Sequence, residues 1–365
     1  MSVHTSPRIV VAHSLKFGED FFTRRSVFFC SLLAAVVGVT KAGFSGVDSI
    51  VWSPETWPMP DGQYPQLSYG IRTIGFFLGI DTPQAFTNLG FALILITLVV
   101  ISLLMTRAFK SDRPSGKLVV LITLSGPLTW ILAGRIGHPD TFVLLGSAAL
   151  GLFGHRVVVG ILGGLLLVLG SPEQAVLISL SLLILTLAPS LSPLRKGAVA
   201  ALATSSISWI SLTTWSQTLQ RDTRSSIYLE LLPLAFERFF VQFPVIAYAG
   251  YGLTVLFVLA ALLSESWRGG IAILLGAIAV PLLATATTGD QGRVLVCMST
   301  TSIIALGLRF GGSLRTWLEA RLRYPFMTLF AIVLFLPAID VTGNIIRTPW
   351  SLYYPYIQAY LINQL

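Results

Sequence analysis

The sequence predicts an all-α integral membrane protein, a bundle of about 11 transmembrane helices with the N-terminus inside and the C-terminus outside. Three observations carry that expectation. Of 365 residues, 54% are hydrophobic and only 11% charged, against roughly a quarter charged in an ordinary soluble domain. The mean hydropathy is +0.79, and too few charged side chains are present to cover a soluble protein of this size with a polar surface. The apolar residues are also gathered into runs near the roughly 20 residues that a membrane span requires.

Taken in order, those runs lie at about 25 to 43, 85 to 107, 117 to 134, 140 to 155, 156 to 171, 175 to 190, 197 to 214, 242 to 263, 269 to 287, 293 to 309 and 324 to 342. Arg24, Arg25 and the run from Val27 to Val39 resemble the start of a signal segment. No small-x-small cleavage site follows, so an uncleaved first span is expected. The 4th and 5th runs are divided only by His155 and Arg156 and are short for perpendicular crossings. Gly160 to Gly170 suits close helix packing rather than phosphate binding. Cys30 and Cys297 both fall inside apolar runs, which supports neither a disulfide framework nor a thiolate metal centre.

The net charge of +8 is spread between the runs, with no lysine-rich tract, so no nucleic-acid partner is expected. Instead it orients the chain. With the N-terminus inside, sixteen of the 24 basic residues, from Arg8 through Arg107, Lys117, Arg195 and Arg268 to Arg323, fall on the cytoplasmic side. The whole chain, 1–365, then forms one polytopic membrane domain, with a long outer loop at 44–84 and a second at 215–241. Within the first, Ser68 to Ile80 predicts an amphipathic interfacial helix with Arg72 at the headgroups and Ile71, Ile74 and Phe77 in the apolar layer.

Three polar turns are expected on the outer face: Gly134 to Asp140, Ser171 to Gln174 and Gly289 to Arg293. Asp61 is the leading candidate for a general base and Asp48 its rival; Asp61 equally suits an Asp-Gly turn, and Tyr64 beside it suits a sugar-lining role. Arg135 and Arg293 offer planar cations for a phosphate leaving group or, alternatively, partners for nearby acids. His138 suits phosphate binding, proton transfer, or pairing with Asp140 or Glu173, and Asp290 suits orientation of Arg293 or a divalent ion. Gln174 completes the candidate substrate-supporting set. His138, Asp140, Glu173 and Asp290 lack a specific metal spacing, so a permanent zinc ranks below a transient Mg or Mn ion carried with a phosphorylated donor. No G-x-S-x-G or phosphate-loop motif occurs.

Asp61-Gly62-Gln63-Tyr64 after the first span, the interfacial segment beyond it and the charged turns at later helix ends together resemble the GT-C superfamily of polytopic membrane glycosyltransferases. The resemblance implies a GT-C-like bundle, a polyprenyl-phosphate sugar as donor, Asp61 as acceptor-activating group, and Arg135 and Arg293 near the donor phosphate. It also implies a glycan or lipid acceptor with membrane lipids as surroundings; the topology puts the active site on the outside or periplasmic face, and the compact loops favour a bacterial plasma membrane over an ER membrane. The chain departs from larger members in lacking a soluble C-terminal domain, and Trp350, Tyr353, Tyr354 and Tyr356 near its end suit either glycan stacking or interfacial anchoring. The competing classes are a lipid or glycan transporter, an O-antigen polymerase or ligase, and a structural membrane subunit.

Overall fold

The computed structural model describes residues 7–44, 70–80, 82–218, 224–342 and 345–347. These residues form an all-α protein whose one addition is a short antiparallel hairpin, β1 (Asp340–Thr342) with β2 (Ile345–Arg347). The helices are α1 (Pro7–Arg24), α2 (Val27–Ala42), α3 (Gly70–Phe77), α4 (Pro83–Ala108), α5 (Arg113–Leu124), α6 (Pro127–Gly134), α7 (Asp140–Phe153), α8 (Val157–Gly170) and α9 (Pro172–Leu185). The second half contributes α10 (Arg195–Thr218), α11 (Arg224–Tyr251), α12 (Val255–Ser264), α13 (Trp267–Leu274), α14 (Val280–Ala286), α15 (Gln291–Glu319) and α16 (Pro325–Phe335).

Among the described residues, four helical stretches are long and apolar enough to cross a membrane: Gln84–Ala108, Leu231–Ser264, Trp267–Ala286 and Gln291–Glu319. A fifth is added if α5 and α6, bent by 42° at Ser125 and Gly126, count as one. The other apolar helices are shorter. α7, α8 and α9 have 14 residues each, a rise of about 21 Å against a hydrocarbon core of about 30 Å. Punctuation explains their length: Pro139, Pro172 and Pro189 start new elements, and Gly154 and Gly170 end old ones.

The helix bounds differ from the expected apolar runs at three places. The connection placed at 215–241 is mostly helical, since α10 runs to Thr218 and α11 starts at Arg224. The last apolar run, taken to 342, ends as helix at Phe335, because Pro337 has no N–H to donate to the Val333 carbonyl four residues before it, and the chain leaves in β1. The polar leader before the first run is itself a helix, α1. A helix is present within the expected Ser68 to Ile80 segment as α3, with Ile71 fully buried but Phe77 74% exposed.

α15 is the axis of the bundle. Its residues from Gln291 to Gly307 are buried without interruption, and α5, α7, α9, α11, α12 and α14 pack around it. α8 and α10 meet closely: a Cβ on Gly160 would lie 2.4 Å from the carbonyl oxygen of Gly197, so only a residue without a side chain permits that approach. Cys30 and Cys297 are free and buried.

In an apolar bundle every carbonyl released by a proline needs another donor. Pro337 removes the partner of Val333 O, which accepts instead from Lys41 Nζ at 2.7 Å; that ammonium also sits 5.0 Å over the Trp130 ring. Pro281 acts similarly after the π-helical turn Leu275–Ala279. There the Ala277 carbonyl accepts from Tyr251 Oη at 2.8 Å, and the Gly276 carbonyl accepts from Ser181 and from Ser302, the latter at 3.3 Å. Tyr251→Phe leaves the Ala277 carbonyl unpaired and is expected to lower stability by about 1–3 kcal/mol in denaturant titrations in mixed micelles. Ser302→Ala is expected to cost less, because Ser181 still serves the Gly276 carbonyl.

Candidate functional site

One end of the bundle gathers the polar turns. α6 stops at Gly134, and the five residues 135–139 reverse the chain into α7. The reversal needs a left-handed residue, which Gly137 supplies at φ +85°. It also needs room, which Gly90 of α4 supplies: a Cβ there would lie 2.5 Å from Gly137 N. The α8–α9 junction abuts the same turn, since a Cβ on Gly170 would lie 3.0 Å from Pro139 O. Gly70, at the start of α3, lies against the Phe142 ring and Leu169 O.

Asp290 precedes α15 at its N-cap, yet its carboxylate bonds no amide of that helix. It accepts two hydrogen bonds from Arg135, Nη1 to Oδ2 at 2.9 Å and Nη2 to Oδ1 at 2.8 Å, the paired geometry that suits guanidinium and carboxylate. Arg293, one turn into α15, donates from Nε to Asp290 Oδ2 and from Nη1 to Asp140 Oδ1 at 3.0 Å. His138 Nδ1 lies 3.1 Å from the same Asp140 oxygen. Five side chains from two turns distant in sequence thus form one chain of contacts: Arg135, Asp290, Arg293, Asp140, His138. With a neutral histidine its two positive and two negative charges compensate, as ionised groups sheltered from water require.

The cluster is not uniformly enclosed. Asp140 and Arg293 side chains are 4% and 6% exposed, whereas those of Arg135 and Asp290 reach 14% and 21%. The Arg135–Asp290 pair is therefore the accessible rim and the Arg293–Asp140 pair the buried floor. Several oxygens in the 135–141 turn and at the adjoining α8–α9 junction are buried without a hydrogen-bond partner: Asp140 Oδ2, Thr141 Oγ1, Ser171 Oγ, Glu173 Oε2 and Gln174 Oε1. Gln291, the residue after Asp290, ties the site to α11 by donating from Nε2 to Ala235 O at 2.8 Å.

Burial holds the His138 imidazole below its ordinary pKa; Asp140 pulls it upward, and the Arg293 and Arg135 charges add to the lowering. For Asp290, burial opposes ionisation, but Arg293 and Arg135 outweigh it and hold the carboxyl below the usual carboxylate range. A histidine that resists protonation in the folded state loses stability once the unfolded chain begins to take up its proton. The decline is expected to begin as the pH falls through about 6.5, while the depressed Asp290 loses its contribution only at more acid pH. Unfolding midpoints of His138→Gln measured between pH 7.5 and 5.5 are expected to be flatter than those of the parent.

Of the residues singled out in the sequence, Arg135, His138, Asp140, Asp290 and Arg293 are brought together. Glu173 and Gln174 lie in the first turn of α9, at the junction beside the turn. Asp48, Asp61 and Tyr64 lie outside the described residues, and Arg72 is on α3 with its side chain outside them. The four candidate metal ligands do not assemble as one set: Asp140 and Asp290 face guanidinium groups, and among the described residues no three His, Cys, Asp or Glu side chains stand together as a metal site. Thr141, Ser171 and Gln291 were not anticipated, although each sits in or directly beside a polar turn. Comparison of the chain with protein-family models, with curated proteins and with solved structures finds no match.

Proposed function

We propose that the chain is a membrane glycosyltransferase that moves a sugar from a polyprenyl-phosphate donor to a glycan or lipid acceptor. In this reading the helices form eleven membrane passages of a GT-C-like bundle in a bacterial plasma membrane, with the charged cluster facing the outside or periplasm. The observation that carries it is the convergence of Arg135 and Arg293 with His138, Asp140 and Asp290 at one end of the bundle, beside a row of unpaired acceptor oxygens. Two guanidinium groups suit a phosphate, and unpaired oxygens suit the hydroxyl donors of a sugar.

The more exposed Arg135 takes the donor phosphate, in competition with Asp290, while the enclosed Arg293 holds Asp290 and Asp140 in place. Asp61 accepts the proton of the acceptor hydroxyl as its oxygen attacks the anomeric carbon. The bond from that carbon to the phosphate oxygen breaks, its electron pair stays on the phosphate, and polyprenyl phosphate leaves. Charge growing on the leaving phosphate strengthens its contact with Arg135, which favours the transition state over the bound donor.

A transporter is the competing reading, favoured by one observation: the cluster is already charge-compensated by its own residues, as ionisable groups along a membrane pathway commonly are. Proteoliposomes holding the purified chain, a labelled polyprenyl phosphosugar and an acceptor lipid separate the two. A new glycosidic bond supports transfer; movement of label across the bilayer with no bond formed supports transport and rejects the enzyme.

A further inference from the structure

α1 is fastened to the bundle through its C-terminal half. Glu19 accepts from the amides of Phe326 and Met327, at 3.4 and 2.9 Å, and so caps the start of α16. Phe22 packs on Phe330 with ring centroids 5.1 Å apart, and Lys117 Nζ donates to Thr23 O at 2.6 Å. Phe17, Asp20, Phe21, Arg24 and Arg25 of this region line an open groove of about 380 Å³.

Two kinds of surface meet in that groove. Phe17 is 72% exposed, and Phe29, on the adjoining first turn of α2, is 40% exposed. The Arg25 guanidinium is held over two rings, 4.8 Å from the centroid of Phe21 and 5.3 Å from that of Phe29. Arg24 and Arg25 face a single acid, Asp20, since Glu19 is engaged with α16. The groove is therefore cationic and aromatic together, where apolar α2 enters the bundle.

We infer that this groove binds an anionic phospholipid, its headgroup phosphate at Arg24 and Arg25 and its acyl chains along Phe17, Phe21 and Phe29. A free phosphate would satisfy the arginines and leave Phe17 in water; a zwitterionic lipid would cover the rings and leave the excess positive charge uncompensated. Glycosyl transfer plays no part in this inference.

The test uses the full chain in neutral detergent, with native mass spectrometry and melting temperature read against added phosphatidylglycerol, phosphatidylcholine or glycerol 3-phosphate. Phosphatidylglycerol is expected to remain bound and raise the melting temperature, and the other two to do neither. Each arginine near a headgroup contributes roughly a fivefold change in affinity, so Arg24→Gln with Arg25→Gln is expected to weaken phosphatidylglycerol binding by roughly twentyfold or more. Phe17→Ser tests the apolar half and is expected to weaken it as well, while Arg268→Gln, at the start of α13, is expected to leave it unchanged. Equal binding of phosphatidylcholine, full stabilisation by glycerol 3-phosphate, undiminished binding by the double variant or by Phe17→Ser, or an equal loss in Arg268→Gln would overturn the inference.

Discussion

Arg293→Met is expected to lower the stability of the folded chain by about 3–5 kcal/mol, the usual cost of removing one partner from an enclosed ion pair. Methionine fills much of the arginine's volume and supplies none of its donors. Asp140, whose side chain is 4% exposed, then loses its hydrogen-bonded guanidinium, and Asp290 loses the Arg293 contact while keeping that of Arg135. The large effect comes from stranding charge, not from losing an attractive contact, so a second substitution distinguishes the causes. Asp140→Asn combined with Arg293→Met is expected to be less destabilised than the two single changes added together, by about 1 kcal/mol or more. Reversible unfolding in mixed micelles measures all three. A single Arg293→Met protein within about 1 kcal/mol of the parent would mean that the guanidinium is hydrated rather than paired.

Gly90→Ala is expected to be comparably damaging for a geometric reason. The added carbon would lie 2.5 Å from Gly137 N and 2.7 Å from Gly137 Cα, both main-chain atoms that no rotamer change can move aside. Either α4 shifts outward or the turn carrying Arg135 and His138 is displaced. Overpacking commonly costs about 1–3 kcal/mol, and a backbone collision belongs at the upper end. Gly75→Ala is the matched control: its nearest neighbours would be 4.0 Å away, and alanine is the better helix former, so little change or a slight gain is expected. Melting temperatures of the two variants, with binding of a labelled polyprenyl phosphosugar, separate loss of packing from loss of the site.

The apolar helices were legible because membrane solvation imposes itself on composition, and proline and glycine mark many of their ends. What lay beyond the sequence was mostly the outcome of distant partnerships. α1 reads as a polar leader because Lys16, Glu19, Asp20 and Arg24 interrupt its apolar residues, and its docking depends on Glu19 meeting the amides of α16 at the opposite end of the chain. The residues of the ionic cluster stood out as scarce charges in turns, and the local pairs Asp290 with Arg293 and His138 with Asp140 were among the readings, but the pairs that join the two turns were not. Arg135 and Asp290 are 155 positions apart, and Arg293 and Asp140 are 153 apart. That pairing changes their expected roles: guanidinium groups read as donor-facing are already engaged with carboxylates, which leaves Arg135 at the rim and Arg293 as the residue that positions the rest. The π-helical turn before Pro281 was illegible for a related reason, since its released carbonyls are served by side chains from α9, α11 and α15.

The most direct test of the proposed transfer chemistry is the turnover of Asp61→Asn with a labelled polyprenyl phosphosugar and a glycan or lipid acceptor, in proteoliposomes where the variant retains the parent's melting temperature. Asparagine preserves the shape of the side chain and removes its basicity. Product formation is expected to fall by at least about a hundredfold, the lower range for a lost general base, with donor binding retained through the Arg135 rim. Full turnover by the folded Asp61→Asn protein would contradict it.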